Sequence, residues 1–472
     1  MAVIYALVTW NDPQDDGRVA RGVVALHKYV ADIVDEPNEP IGFEMLLPSL
    51  LDKLAPYELE LPQQIWSPKI QKATEQKMQL IGKLEVNYGK LRTWWFNLEM
   101  LTKDQLIQID ERILNMYGSV ACSLAATSAY LRALRLHGRD SAMAASYLQH
   151  VLNLNEDGGV GVCWPIESFE ITWVLDSFVR AGFDPGGSML APLTQHLYKF
   201  WKTSPIGLSW SQAFPLNNVD DTTTGYRVLC QAGLKLNLDL LADYWGNTHF
   251  LTYYDELTPS VSANVHALTT LRHNLSNTAH KQLAIKVTEW LRKQMNEHQQ
   301  LNDKWHVSPL YVTAHAVTAF MGWDDNMAQR CVNYLLEQQL ESGGWGSSNH
   351  PNLEETSHVI LGLFQAWECG LLKEDWQIRR AVAYFRQHQT YQPTERLWIG
   401  KTLYQPVGVT NGVIYAASAA LAKFEALFPL RSRYHHVQMK PSFQQPQFAH
   451  SRVVDVLPVD LSELGSNVCL AK

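Results

Sequence analysis

The chain reads Leu216-Asn217-Asn218-Val219-Asp220-Asp221-Thr222-Thr223-Thr224 where an apolar helix is predicted to begin. Four later helix starts have the same character, a small or polar pair beside apolar residues: Ser262-Ala263, Thr313-Ala314, Glu355-Thr356 and Thr410-Asn411. Successive starts are 41, 51, 42 and 55 residues apart, which is long enough for two helices and their turns. The spacing predicts helical hairpins closed into an α/α barrel, with the inner helices opening at one common mouth.

Helical spacing of apolar residues also fills the first 190 residues, but without this repeat. A turn-forming run, Phe183-Asp184-Pro185-Gly186-Gly187-Ser188, indicates a domain boundary. We therefore predict an all-α protein with two helical domains, residues 1–190 and 191–430. Residues 431–472 are rich in Gln, Pro and Ser and are predicted to form a loose tail.

The composition excludes several function classes. Of 472 residues, 46% are hydrophobic and 18% charged, and the net charge of −8 offers no basic surface for nucleic acid. No uncharged apolar run of 18 residues predicts a transmembrane segment, and the apolar start lacks the features of a signal peptide. Six scattered cysteines indicate reduced thiols and a cytoplasmic protein. The 16 Trp, 19 Tyr and 15 Phe indicate an aromatic core or a cavity for an apolar or cationic ligand.

Two carboxylates stand together at the first of the predicted helix starts. Asn218, three residues before Asp221, has the spacing of an ordinary N-cap with an acidic first turn. The alternative is catalytic, because two carboxyl groups in one dry site cannot easily both ionise, so that one stays protonated and serves as an acid. Such an acid, aided by a group that stabilises its carboxylate, could protonate an unactivated alkene.

The run from Leu208 to Arg227, which contains this motif, resembles the Asp-x-Asp-Asp-Thr signature of class II terpene cyclases such as copalyl diphosphate synthases and squalene-hopene cyclases. Six further segments resemble this family in its own order: residues 42–49 (GFEMLLPS), 164–176 (WPIESFEITWVLD), 258–268 (TPSVSANVHAL), 304–313 (KWHVSPLYVT), 339–356 (QLESGGWGSSNHPNLEET) and 397–404 (LWIGKTLY). The resemblance covers about residues 1 to 425. It implies the βγ architecture, in which a γ-like domain (1–190) and a β-like α/α barrel (191–430) enclose the active cavity between them.

The resemblance also implies roles for individual residues. The general acid falls on Asp220, with Asp221 and Asn218 beside it, and Asn264 matches the residue that supports the acid in relatives. The aromatic residues expected to line the cavity are Trp94, Trp95, Phe96, Trp164, Trp173, Trp210, Trp305 and Tyr311. The cations expected to hold the diphosphate are Arg227, Lys304 and Lys401. The histidines interpreted as structural, because they lack metal-site spacing, are His266, His306 and His315.

Departures from the family pattern bear on the product. Asn218 stands where the family has Asp, so it adds no like charge, and Asp221 or Asn264 must support the acid. The His-Asn pair that removes the last proton in copalyl-type relatives falls on Phe96 and Val162. Without a base there, the first bicyclic cation lives longer and hydride and methyl shifts can occur. We therefore expect a rearranged decalin of the clerodane (kolavenyl) or halimane type.

A second group of expectations concerns the diphosphate and the ends of the chain. No Asp-Asp-x-x-Asp motif occurs, Asp324-Asp325 being the nearest, so the product is expected to keep its diphosphate and to pass to a separate class I terpene synthase. The family implies that Mg²⁺ accompanies the diphosphate, with Glu170 and Asp176 as suggested ligands. The first residues match the family's second helix, so either the barrel is short of one helix or the start codon was assigned late.

These observations predict a class II diterpene cyclase that acts on geranylgeranyl diphosphate. Three alternatives stay open: a class II sesquiterpene cyclase acting on farnesyl diphosphate, an α/α-barrel glycosidase, and a non-catalytic α/α-barrel binding protein. A glycosidase would need a second carboxylate roughly 6.5 to 9.5 Å from the first, across a sugar cleft. A cyclase needs a dry pocket with one acidic corner.

Overall fold

A computed structural model describes residues 1–35, 40–81, 93–154, 159–204, 206–214, 216–254, 256, 258–388 and 395–427, so the predicted tail lies outside the described residues. The structure is 63% helix. The α-helices, α1 to α17, are Ala2–Trp10, Asp16–Asp35, Phe43–Leu54, Pro68–Ile81, Lys103–Leu106, Leu124–Leu136, Ala142–Leu152, Glu167–Arg180, Ala191–Thr203, Val219–Gln231, Val261–Arg272, Thr278–Gln294, Pro309–Phe320, Asp325–Glu337, Leu353–Glu368, Trp376–Gln387 and Val407–Leu427. Strands β1 (Trp398–Ile399) and β2 (Leu403–Tyr404) pair antiparallel.

Six helices form a closed ring. Helices α8, α10, α11, α13, α15 and α17 pack against one another in that order, and α17 returns to α8. Helices α9, α12, α14 and α16 pack outside the ring, against the inner helices that they connect. The predicted α/α barrel is confirmed, and α10, α11, α13, α15 and α17 begin within four residues of the predicted starts.

The ring has one member that the repeat did not reveal. Helix α8 begins at Glu167 without a side-chain cap, whereas side chains of Asn218, Ser260, Ser308 and Asn352 cap α10, α11, α13 and α15. Because α8 lacks the polar opening, its sequence does not display the repeat. The domain boundary at residue 190 stays a prediction, and α8 packs with helices on the far side of it.

Two inner helices start with the same local structure. Asn218 and Asn352 each accept a hydrogen bond from the backbone N–H three residues later, at 2.8 and 2.9 Å. Thr222 and Thr356 each accept one from the backbone of the preceding loop, at 2.9 and 2.8 Å. These bonds lock each helix start to its loop, and they set Asp220, the second residue of α10, at the mouth of the ring.

The N-terminal helices pack around a second, aromatic core. This core contains Trp94, Trp95 and Phe96, and it also takes in Phe214 and Tyr253 from loops at the start of α10 and α11. The N-terminal half therefore covers the mouth of the barrel, and the surfaces between the two halves are aromatic.

In the described part of the chain, one helix is long and apolar enough to cross a membrane by length and composition. This is α17, half of whose most apolar stretch is buried against the rest of the protein.

Candidate active site

Asp220 lies at the mouth of the ring and contacts a histidine of the neighbouring helix. The Nδ1 atom of His266, on α11, is 2.6 Å from Oδ1 of Asp220. The Asp220 side chain keeps 15% of its surface accessible, whereas that of His266 keeps 2%. The Asp220 carboxyl group is therefore accessible, whereas the histidine that contacts it is buried.

A buried arginine sets the proton positions in this pair. Arg180 Nη1 lies 2.8 Å from His315 Nε2, and His315 Nδ1 lies 2.9 Å from His266 Nε2. Burial lowers the pKa of Arg180 only to about 10, so it stays charged, while burial and Arg180 hold the pKa of His315 far below its usual value. A guanidinium can only donate, so neutral His315 accepts at Nε2 and donates from Nδ1. His266 then accepts at Nε2 and donates its Nδ1–H to Asp220.

The neighbouring carboxyl group, Asp221, is sealed among polar side chains. Asn218 Nδ2 donates to Asp221 Oδ2 at 2.6 Å, and Asn218 Oδ1 accepts from the Asp221 backbone N–H at 2.8 Å. Burial, with a smaller contribution from the charge of Asp220, raises the pKa of Asp221 to about 7. Asn218 is therefore the N-cap of α10 and also the partner of this carboxyl group.

We expect the variant Asp221→Asn to be more stable than the wild type at alkaline pH. The pKa of Asp221 is near 3.8 in the unfolded chain and about 7 in the folded one, so its burial costs stability as the pH rises from 4 through 7. The gain at pH 8 is on the order of 3 kcal/mol and shrinks toward pH 5. Thermal melting at both pH values measures it, and an equal difference at both would contradict the assignment.

Asn264 does not contact the acid. Its Nδ2 donates to the carbonyls of Ser260 and Phe250, and its Oδ1 accepts from the Phe250 backbone N–H. It therefore anchors the loop before α11. His266 lies two residues later on α11, so its side chain points to another face of the helix. His266 therefore makes the contact with Asp220 that the resemblance implies for Asn264.

The predicted aromatic residues fall into three groups. Trp173 lies 4.8 Å from the His266 ring, and Tyr311 lies 4.7 Å from His315, so both pack beside the acid's hydrogen-bond chain. Phe96 faces Trp210 at 5.2 Å, and both belong with Trp305 to the aromatic core between the halves. Trp94 and Trp95 lie in the N-terminal part of the same core. Trp164 lies apart from it and packs against Tyr147 and His150.

The three predicted diphosphate ligands do not come together. Arg227 forms a buried ion pair with Asp176 inside the ring. Lys401 Nζ lies 2.5 Å from a carboxylate oxygen of Glu99 and 2.7 Å from Ser123 Oγ.

Lys304 lies within electrostatic reach of Asp220. It is paired with Glu256, and its ammonium lies 4.6 Å from the Trp305 ring centroid. Desolvation holds its pKa well below the usual value, the nearby Lys77 lowers it further, and the charges of Asp220 and Glu44 raise it. Lys77 and Glu44 form an ion pair of 3.7 Å. Two lysines from different halves of the chain thus lie within electrostatic reach of one another on the side of Asp220.

Sequence and structure comparisons find diterpene cyclases and diterpenyl diphosphate synthases among the proteins similar to this chain. The chain is 28% identical over 413 residues to a type B diterpene cyclase of Mycobacterium tuberculosis, covering 85% of this chain and 81% of that protein. It is 27% identical to a (+)-kolavenyl diphosphate synthase of Herpetosiphon aurantiacus, covering 66% and 61%. The solved ent-copalyl diphosphate synthase of Streptomyces platensis shares the fold, with a TM-score of 0.68, 25% identity, and coverage of 81% of this chain and 77% of that one. The chain is thus similar to class II terpene cyclases in sequence and in fold.

This protein is therefore an isomerase of the protonation-initiated kind. No family model matches the chain.

The expectation of Mg²⁺ is wrong. Class II cyclases start with proton donation from an aspartic acid and need no metal. The suggested ligands Glu170 and Asp176 do not form a site: Asp176 is held by Arg227, and Glu170 accepts a hydrogen bond from the backbone of Gly408. Among the described residues, no group of three or more His, Cys, Asp or Glu side chains could hold a metal ion.

Proposed function

We propose that the protein is a class II diterpene cyclase that protonates the terminal alkene of geranylgeranyl diphosphate and forms a bicyclic diterpenyl diphosphate. The observation that carries this proposal is the contact between Asp220, whose side chain keeps 15% of its surface accessible, and the buried His266. An accessible carboxyl group that is oriented by one buried partner is suited to a directed proton transfer.

The hydrogen-bond chain determines which oxygen gives the proton. Because Asp220 Oδ1 accepts from His266, the acidic hydrogen belongs on Oδ2, the oxygen left for the alkene. Once the proton has left, the same His266 N–H stabilises the carboxylate. Burial and the charge of Arg180 disfavour protonation of His315, which donates to His266 and so leaves the His266 Nδ1–H as the donor to Asp220. This N–H orients the acid.

Aromatic rings near Asp220 are suited to stabilise the carbocation, and basic side chains are predicted to bind the diphosphate. The rings of Trp173 and Phe169 are 5.9 Å apart and lie beside the acid, where ring quadrupoles attract a developing cation by about 2 kcal/mol when water is absent. The predicted diphosphate ligands Lys304, Arg227 and Lys401 are each paired with a carboxylate. Their binding of the diphosphate stays a prediction, and Lys77 is a neighbour of Lys304.

We further propose a rearranged decalin product of the clerodane or halimane type. Phe96 is 4% exposed and apolar, and Val162 packs in the same aromatic core, so neither supplies a base at the position used by copalyl-type relatives. The similarity to a kolavenyl diphosphate synthase supports the same skeleton. The diphosphate would remain for a separate class I terpene synthase. We expect the enzyme to work in the cytoplasm, consistent with the free thiols of Cys122, Cys163, Cys230, Cys331 and Cys369.

Incubation with geranylgeranyl diphosphate and, in parallel, farnesyl diphosphate tests the proposed function. After enzymatic removal of the diphosphate, mass spectrometry and NMR should identify a bicyclic C20 alcohol with a shifted methyl group. An unrearranged labdane would refute the proposed skeleton. Turnover of farnesyl diphosphate alone would make the protein a sesquiterpene cyclase, and turnover of neither substrate would favour a binding protein.

A further inference from the structure

The hydrogen-bond chain behind the acid can run in two directions. Asp220 Oδ1 lies 2.6 Å from His266 Nδ1, and His266 Nε2 lies 2.9 Å from His315 Nδ1. A neutral imidazole has one N–H and one acceptor nitrogen, so neighbouring rings must agree on a direction. In the forward direction each ring donates toward Asp220. In the reverse direction Asp220 donates its own proton to His266 Nδ1, and His266 Nε2–H donates to His315 Nδ1.

A third histidine completes the reverse direction. Nδ1 of His358, on α15, lies 3.4 Å from His315 Nε2. With its hydrogen on Nε2, neutral His358 can accept at Nδ1 the bond that His315 Nε2–H would donate. The bonds from Asp220 through His266 and His315 to His358 can therefore be made in either direction, and these four groups alone do not select one.

The two directions differ in what they do for the acid. In the forward direction Asp220 Oδ1 accepts a bond, and its hydrogen on Oδ2 is free for the alkene. In the reverse direction the same hydrogen is held in the bond to His266 Nδ1. After proton transfer to the alkene, the reversed His266 would also present a lone pair, not an N–H, to the new carboxylate. Only the forward direction is suited to proton donation.

Arg180, at the end of α8, decides between the two directions. Its Nη1 lies 2.8 Å from His315 Nε2, and its Nη2 donates to the carbonyl of Ala314 at 3.3 Å. A guanidinium has no acceptor. In the reverse direction the hydrogen on His315 Nε2 would face an N–H of Arg180 across 2.8 Å, with both groups donors. Arg180 therefore favours the forward direction.

Aromatic packing shields this chain from bulk water. His266, His315 and His358 are 2%, 4% and 3% exposed. The Trp173 ring lies 4.8 Å from that of His266 and 6.2 Å from that of His315, and the Tyr311 ring lies 4.7 Å from His315 and 4.8 Å from His358. Because the rings are packed in place, the direction depends on the protein groups that end the chain.

We propose that Arg180 and His315 are positioning residues for the acid, a role that rests on the proposed function. Arg180 selects the direction of the chain, and His315 carries this direction to His266. Neither residue needs to contact the substrate, because both act through the His266 Nδ1–H.

The direction can be measured without substrate, by nitrogen-15 NMR of protein labelled at histidine. The shift of each ring nitrogen distinguishes an N–H from a bare acceptor, and the signals lost in His266→Phe and His315→Gln assign the rings. We expect Nδ1–H in both His266 and His315 of the wild type, and Nε2–H in both rings of Arg180→Met. Nε2–H or a doubly protonated ring at His266 in the wild type would overturn the proposal. The wild-type tautomers in Arg180→Met would overturn it too.

A double-mutant cycle measures the effect on turnover of geranylgeranyl diphosphate. We expect Arg180→Met to lower kcat by about 30-fold and to change KM by less than about threefold, because the acid loses its orientation and not its substrate. Arg180→Lys keeps a donor and a charge, so it should recover most of the lost kcat. In the His266→Phe background, Arg180→Met should lower kcat by no more than about threefold further, since no N–H is left to direct. An equal loss in both backgrounds would indicate a structural role and would overturn the proposal.

A second pair of variants applies if Arg180→Met does not fold. His315→Gln keeps one acceptor for Arg180 and one donor for His266, whereas His315→Leu keeps neither. His315→Gln should therefore be at least about fivefold more active than His315→Leu, and equal activity would overturn the proposal. Failure of the wild type to consume the substrate would refute the proposed function, whereas the NMR tautomers test the selection by Arg180 in either case.

Discussion

Asp220→Asn is expected to lower turnover of geranylgeranyl diphosphate by at least about 1,000-fold while leaving the fold intact. The amide cannot give up a proton to an alkene, and among the described residues no second carboxyl group is hydrogen-bonded to His266. Because the carboxyl group accepts a bond from His266, the asparagine oxygen can accept the same bond and preserve the packing.

Substrate consumption, measured with circular dichroism and thermal melting of the same samples, checks this prediction. Asp104→Asn is the control, since its side chain is 92% exposed in the N-terminal half. It should retain wild-type activity. Comparable product from Asp220→Asn would remove Asp220 from the mechanism.

His266→Phe is expected to lower kcat by about 100-fold, with a smaller change in KM. The ring volume is nearly kept, but the N–H that orients Asp220 and stabilises its carboxylate is lost. Because the effect belongs to the proton transfer and not to binding, kcat should fall more than KM rises.

His266→Gln offers the matching rescue. Its amide can donate to Asp220, so part of the lost kcat should return, whereas a purely structural role would leave both variants equally impaired. A His266→Phe enzyme within about threefold of the wild type would show that the contact has no catalytic role.

The barrel itself could be predicted from the sequence because polar helix starts recur at regular spacing. Asn218 and Asn352 begin their helices with the same cap geometry, so the local pattern and the fold agree. Helix α8 was not recognised as part of the ring because its start carries no capping side chain. Ring closure between α8 and α17 joins residues more than 200 positions apart, which local periodicity does not report.

The position of Asp220 at the start of an inner helix could be predicted, but the side chain that contacts it could not. The resemblance pointed to Asn264, whereas His266 makes the contact, because a shift of two residues turns a side chain to another face of the helix. The hydrogen bonds from His266 to His315 and from His315 to Arg180 join helices α11, α13 and α8 inside the ring. These helices are distant in the sequence.

The ion pairs that the predicted cations form with distant segments could not be predicted from the sequence. Lys401 pairs with Glu99, 302 residues earlier, and Arg227 pairs with Asp176 on a neighbouring inner helix. A sequence motif identifies a lysine or arginine but does not identify the carboxylate that neutralises it. Lys304 lies near the ion pair of Lys77 and Glu44, two residues of the N-terminal half. Local sequence does not report this proximity.

The most direct test of proton donation is turnover of geranylgeranyl diphosphate in D₂O, with wild-type protein beside Asp220→Asn. After solvent exchange of the acid, the wild-type product should gain one deuterium, bound to the ring carbon that derives from the terminal alkene, and its mass should rise by one unit for that site. A cyclised product without deuterium at that carbon, or the labelled product from Asp220→Asn at the wild-type rate, would contradict the account.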